Sequence, residues 1–163
     1  MKDLKITSTF TVYNATTELP EAVQYVMEQA VRARAKSYSP YSRFQVGAAV
    51  LLDNGETISG SNQENASYPA GLCAERTAVF YASAKYPQAK MLMLCITVKS
   101  LDYKTDRPAA PCGSCRQVLA EYEDKQGEPL EVYFMGETGE VLKADKVADL
   151  LPLVFDKNSL LGL

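Results

Sequence analysis

The chain reads as α/β, specifically a three-layer α/β/α sandwich around a mixed, mostly five-stranded central sheet. Three observations predict it. Asn54-Gly55 separates FQVGAAVLLD from ETISG, the strongest short hairpin signal a sequence carries. MLMLCITVK at 91–99 is a short, continuous apolar run of the kind found in strands buried on both faces. Helical and β-prone stretches then alternate, giving β–β–α–β–α–β–β after a leading helix. Helix crossovers between neighbouring strands favour parallel pairing there, with helices packed on both faces.

Taken in order, residues 1–15 are β-prone at Phe10, Val12 and Tyr13 but show no clear period. Residues 1–17 are therefore read as an N-terminal extension, with room for an extra strand, and 18–163 as a single domain. Thr17 offers an N-cap, Pro20 suits a helix start, and Val23, Val26, Met27, Ala30 and Val31 recur at helical spacing, so a helix is expected over 20–37. Pro40 in SYSPYS breaks it. Gly47 inside the following strand suggests close backbone approach. Further helices are expected over 73–86 and 112–124, and further strands in PLEVYFM and EVLKA. KVADLLPLVF is expected to end in a short helix broken by Pro152.

Composition narrows the function. At 163 residues and 17.9 kDa one sizeable core is possible. Seventeen basic against twenty acidic side chains leave a net charge of -3, which disfavours nucleic acid as a partner, since phosphate contacts need clustered Lys and Arg. No apolar run reaches membrane-spanning length, and MKDLKITSTF lacks a signal-peptide core, so the expectation is a cytoplasmic protein without membrane attachment. Four cysteines are too few for a disulfide scaffold. The telling number is zero histidines. Acid–base chemistry must come from Glu, Asp, Lys, Tyr or Cys, and a zinc site must use cysteines or carboxylates.

Three of the four cysteines stand at two helix starts, in SYPAGLCAERTAVF and PCGSCRQ. Cys112 and Cys115 are three apart, so both sulfurs can face one ion. Cys73 lies across one helix and one buried strand and can be brought alongside. Three thiolates suit zinc and leave a fourth tetrahedral position open. On spacing alone a redox pair also fits Cys112 and Cys115, but it explains neither Cys73 nor the carboxylate two residues after it. Cys95, inside MLMLCITV, reads as a small buried hydrophobe rather than a fourth ligand. Glu75 would lie near the open position without being a ligand, placed to move protons. Spacing equally allows a first-turn acid favoured by the helix dipole. Arg76 reads as a solvated helix residue or as a donor to the thiolates.

Together, Cys73-Ala74-Glu75-Arg76 and Pro111-Cys112-Gly113-Ser114-Cys115-Arg116-Gln117 resemble the cytidine deaminase family, in its small homotetrameric, three-cysteine branch. The resemblance covers roughly residues 20–155. It implies hydrolytic deamination of cytidine and 2′-deoxycytidine to the uridine nucleosides and ammonia, within pyrimidine salvage. One zinc per chain would be held by Cys73, Cys112 and Cys115, with Glu75 as proton shuttle and Arg76 supporting the thiolates. SPYSRFQVGAA resembles the segment whose phenylalanine, here Phe44, packs by the pyrimidine. SGSNQENASYP resembles the segment whose Asn62 and Glu64 would bond the ribose hydroxyls. Backbone near Ala66 and Ala74 would read the base edge, and Tyr68 and Phe155 would line a neighbouring subunit's site. A homotetramer is implied on the same ground.

Two departures from the family pattern stand out, the extension before residue 18 and a long connection, SLDYKTDRPAAP, ahead of Cys112. Competing readings are a deaminase of a cytosine-containing antibiotic such as blasticidin S, a polynucleotide deaminase, and a non-catalytic zinc-stabilised module.

Overall fold

The computed structural model describes residues 1–162. It runs β1 (Phe10–Tyr13), α1 (Glu21–Arg34), β2 (Phe44–Leu52), β3 (Thr57–Ser61) and α2 (Ala74–Lys85). There follow β4 (Met91–Ser100), α3 (Gly113–Gln126), β5 (Glu131–Met135), β6 (Val141–Ala144) and α4 (Lys157–Leu161). The strands form one mixed sheet in the order β1-β6-β5-β4-β2-β3.

The Asn54-Gly55 turn closes the expected β2–β3 hairpin. Parallel pairing is narrower than the sequence predicts, since β4–β5 is the one parallel pair within this sheet. The reason is topological. Helix α2 does cross from β3 to β4, but β2 sits between those strands, so β4 pairs antiparallel with β2. Only α3 joins hydrogen-bonded neighbours. The sheet also has six strands rather than five, because part of the N-terminal extension folds as β1 along β6, from Phe10 opposite Ala144 to Tyr13 opposite Val141.

Helix ends differ by a few residues. Helix α1 stops at Arg34, and the short helix expected around Pro152 is a single 3-10 turn at Val147–Asp149. The last helix, α4, starts beyond it, where Asp156 caps by accepting from the Ser159 amide at 3.1 Å.

Helices cover both faces. Val23, Val26, Met27 and Ala30 of α1 pack on one face with Ala49, Cys95, Tyr133 and Met135. Ala78, Val79 and Ala82 of α2 and Leu119 of α3 pack on the other with Val50, Leu94, Ile96 and Val132. The period-2 alternation of β2, β4 and β5 thus feeds two cores.

Two glycines permit this closeness. A Cβ on Gly47 would stand 2.0 Å from the Ala30 carbonyl oxygen of α1. One on Gly60 would stand 2.8 Å from the Ala74 carbonyl oxygen and 2.7 Å from the Ala78 nitrogen of α2. No room exists for a side chain at either place, and Gly60 sets how near the start of α2 comes to the sheet. Among the described residues no helix is long and apolar enough to cross a membrane.

Candidate active site and metal centre

Two helix starts converge at one end of the sheet. Cys73 is the N-cap of α2 and Cys112 the N-cap of α3, both with extended backbone. N-cap side chains ordinarily accept from the first-turn amides. Neither cysteine does so. Their sulfurs turn toward each other instead, with Cys73 Sγ 3.9 Å from Cys112 Sγ, and Cys112 Sγ 3.5 Å from Cys115 Sγ. All three sulfurs lie within 4.8 Å of one another. A tetrahedral zinc with Zn–S bonds near 2.3 Å requires sulfurs about 3.8 Å apart, so the trio fits that ion.

The surroundings suit a cluster of negative charge. Arg76 Nη2 approaches Cys73 Sγ at 3.6 Å, while Arg76 Nε is enclosed with no hydrogen-bond partner. A half-buried guanidinium with an enclosed Nε gains most from a sulfur that carries charge. Arg76 is thus half-buried with one donor facing the Cys73 sulfur. Contact with Cys115, helped by Arg76 and opposed by burial, draws the Cys73 thiol down to about 5. Cys115 moves the other way, pushed up by its bond to Cys73 and by burial, so one charge is concentrated on Cys73. Two helix N-termini aimed at the sulfurs add further positive potential.

Glu75 is 4% exposed, yet it lines the cleft beside the cluster. Burial pushes its carboxyl above the ordinary value; its own backbone amide opposes the rise and the Cys73 charge adds to it. Such a carboxyl can hold a proton nearer neutrality than a solvated glutamate can. Cys95 is fully buried on the α1 face, its sulfur 3.9 Å from the Val23 carbonyl oxygen, on the far side of the sheet from the trio. It fills space, as its apolar setting predicts.

A cleft of about 750 Å³ opens over the cluster, within the range of small-molecule sites. Cys73, Cys112, Glu75 and Arg76 form one part of its lining. Tyr68, expected at a neighbouring subunit's site, lines the cleft of its own chain. Phe44, Asn62 and Glu64 also line it, so the structure brings these predicted residues together. Their hydrogen bonds show local duties. Asn62 accepts from Ser37 Oγ at 2.6 Å and the Val46 amide at 2.8 Å, and donates to the Phe44 carbonyl at 2.9 Å. Glu64 Oε2 accepts from the amides of Tyr41 and Ser42, at 2.9 and 3.2 Å, and its Oε1 from the Ser42 hydroxyl. Both residues therefore brace the 37–44 loop that carries Phe44.

Four predicted residues stand apart from the lining, the first being Cys115, which is fully buried beneath it. Ala74 is fully buried between Cys73 and Glu75, and Ala66 is exposed next to the lining residue Asn65. Phe155 is 58% exposed beside a second cavity with Val154 and Asp156, its carbonyl accepting from Gln117 Nε2 at 2.7 Å. Other participants escaped the sequence reading. Ile96, Val98, Ala109 and Ala110 supply apolar wall. Arg116 clasps the loop before Cys112, donating from Nε to the Pro111 carbonyl at 2.7 Å and from Nη1 to that of Leu150 at 2.9 Å. A signal for Arg116 existed in its place next to Cys115; Ala109 and Ala110 carried none.

With that geometry in hand, similarity to known proteins is specific. Residues 20–127 match the family model described as the cytidine and deoxycytidylate deaminase zinc-binding region. A cytidine deaminase of Halalkalibacterium halodurans is 42% identical over 132 residues, 81% of this chain and 92% of that protein. One from Sporosarcina psychrophila is 36% identical over 138 residues, 85% of this chain and 94% of that protein. Among solved structures, cytidine deaminase from Burkholderia pseudomallei superposes with a TM-score of 0.70 at 36% identity, covering 84% of this chain and all of that one. Matching motif, fold and thiol cluster together make this chain a member of the cytidine and deoxycytidylate deaminase family.

Proposed function

We propose that this protein is a zinc-dependent deaminase converting cytidine and 2′-deoxycytidine, with water, to uridine and 2′-deoxyuridine plus ammonia. The observation that carries this reading is the cluster of Cys73, Cys112 and Cys115 under a cleft, with buried Glu75 alongside. Zinc bound by the three thiolates supplies Lewis acidity that makes a water molecule nucleophilic near neutral pH. Glu75 takes a proton from that water and gives it to ring nitrogen N3, which makes C4 electrophilic. It then carries the second proton to the amino group leaving C4. Arg76 holds the Cys73 thiolate in place, and Phe44 offers its ring to the flat pyrimidine. Asn62 and Glu64, in the cleft lining, bond the ribose hydroxyls, for which acceptor capacity is left on the carboxylate. Backbone near Ala66 and Ala74 reads the base edge.

The nucleoside, rather than its 5′-phosphate, is favoured by charge. Among the described residues Arg76 is the one Lys or Arg in the lining and faces Cys73, while Glu64 and Glu75 add negative potential. A phosphate would meet no free cation there.

The reading extends to assembly and setting. A homotetramer would let Phe155, 58% exposed in the single chain, pack into a neighbouring site, and would place a neighbour against Tyr68, which is 75% exposed in the lining of its own cleft. Residues 1–17 act as an extension to a catalytic domain over 18–163, in keeping with a family match that begins at residue 20. Four free cysteines suit a reducing cytoplasm and pyrimidine salvage there. The first test is absorbance loss on adding protein to cytidine, with zinc measured on the same sample. Turnover with about one zinc per chain is expected. Zinc without turnover of either nucleoside would overturn the substrate assignment and point to another amino-heterocycle such as blasticidin S.

A further inference from the structure

We infer that Arg43 and Asp102 form a positioning pair for Phe44, fixing the wall against which the pyrimidine packs; this rests on reading the cleft as a cytidine site. Arg43 sits at φ 53°, in the left-handed region where a residue with a side chain is strained. It stands between Ser42 and Phe44, both in the cleft lining. Three contacts keep it there. Its Nε donates to Asp102 Oδ1 at 2.7 Å, its carbonyl accepts from the Leu101 amide at 3.0 Å, and its amide donates to the Ser39 carbonyl at 3.1 Å. Glu64 grips the other half of the loop through Tyr41 and Ser42, and Ser42 Oγ accepts from the Phe44 amide at 3.1 Å.

Asp102 belongs to the long connection ahead of Cys112, and that connection is itself anchored. The Asp102 amide donates to Ser100 Oγ at 3.1 Å. Thr105 donates from Oγ1 to the Val98 carbonyl at 3.3 Å, and its own carbonyl accepts from the Glu137 amide at 2.7 Å. Ala109 and Ala110 then return to the cleft wall. The connection is thus a tied rail that presents Asp102 to Arg43. If the ion pair is lost, the strain at Arg43 favours relaxation to negative φ, which reorients the peptide plane leading into Phe44. Neither side chain reaches the thiols or Glu75, so base packing suffers and the proton transfers do not.

Both side chains are about half exposed, and exposed pairs are individually weak, so the effect is modest. Asp102→Ala should raise KM for cytidine about three- to fivefold, with kcat and zinc content unchanged. Arg43→Lys, which keeps the charge, should stay within about twofold of the wild type. Arg43→Ala should weaken KM at least as much as Asp102→Ala, and the double variant no further than Arg43→Ala, because the two residues act as one unit. Uridine affinity by calorimetry should fall in step with KM. A lower Tm with unchanged KM and uridine affinity in Asp102→Ala would mean a merely structural pair and overturn the inference. So would additive effects in the double variant. If the wild type fails to turn over cytidine, the underlying reading fails instead; wild-type turnover with an Asp102→Ala KM equal to it sinks this inference alone.

Discussion

Cys73 and Cys95 are the same side chain on opposite faces of one sheet, and the fold gives them opposite chemistry. Cys95 is locked mid-strand against the flank of α1, where burial pushes its thiol well above the ordinary value and leaves it an inert hydrophobe. Cys73 caps α2 at the end of the sheet, among Cys115, Cys112 and Arg76, and its thiol is drawn down to about 5. The difference lies in what the neighbouring helix presents. A helix flank offers apolar side chains with its backbone donors already satisfied. A helix start offers free amides, the positive end of the dipole and a reason for charge to stay. One face of the molecule is therefore built for packing, and the end of the other for holding an anion-rich metal site.

That contrast can be broken most sharply at Glu75. Glu75→Gln preserves shape but cannot exchange protons, so kcat should fall about 10²- to 10⁴-fold while zinc content holds at the wild-type level. Turnover by stopped absorbance assays, paired with metal analysis, checks both halves. Retained activity would remove Glu75 from the chemistry.

Ligand substitutions test the two cysteine environments directly. Cys112→Ser should lose most bound zinc and lower Tm, since metal affinity and folding are linked. Cys95→Ala should keep full zinc and turnover and cost only about 1 kcal/mol in denaturant unfolding, the scale of a small buried deletion. Zinc loss in the Cys95 variant would contradict the separation of the two faces.

The glycines that seat the helices sharpen the comparison further. Gly47→Ala drives a Cβ into the Ala30 carbonyl of α1, and about 3 kcal/mol of destabilisation is expected with kcat of the folded fraction preserved. Gly60→Ala meets α2 backbone at 2.7–2.8 Å, so a similar or smaller stability loss should come with a measurable drop in kcat. Urea unfolding and steady-state kinetics on both variants separate a packing face from a catalytic one. Arg76→Ala should give the smallest structural change, with Tm nearly that of the wild type but zinc affinity reduced about 10- to 100-fold in chelator competition.

Much of this is legible in the amino-acid sequence. Asn54-Gly55 announces its hairpin through local turn chemistry, and MLMLCITVK announces a doubly covered strand because apolar residues run without alternation. The cysteine–glutamate constellation is legible too, since helix-start spacing is a local property. Strand order is not. Nothing in 56–61 or 91–99 says that β2 would lie between β3 and β4 and turn an expected parallel pair antiparallel. Nor does SLDYKTDRPAAP reveal that Asp102 meets Arg43, because that contact spans 59 residues and depends on where the sheet ends.

By itself, the amino-acid sequence determined the three main helices, the central strands, the absence of histidine and the residue types that chemistry could use, because propensity, turns and ligand softness act over a few neighbouring residues. Tertiary structure alone decided which strands lie side by side, which of the three clustered thiols is drawn down, and which loop residues brace the cleft. Those outcomes depend on burial and on partners tens of residues away, brought together only when both faces of the sheet have been covered.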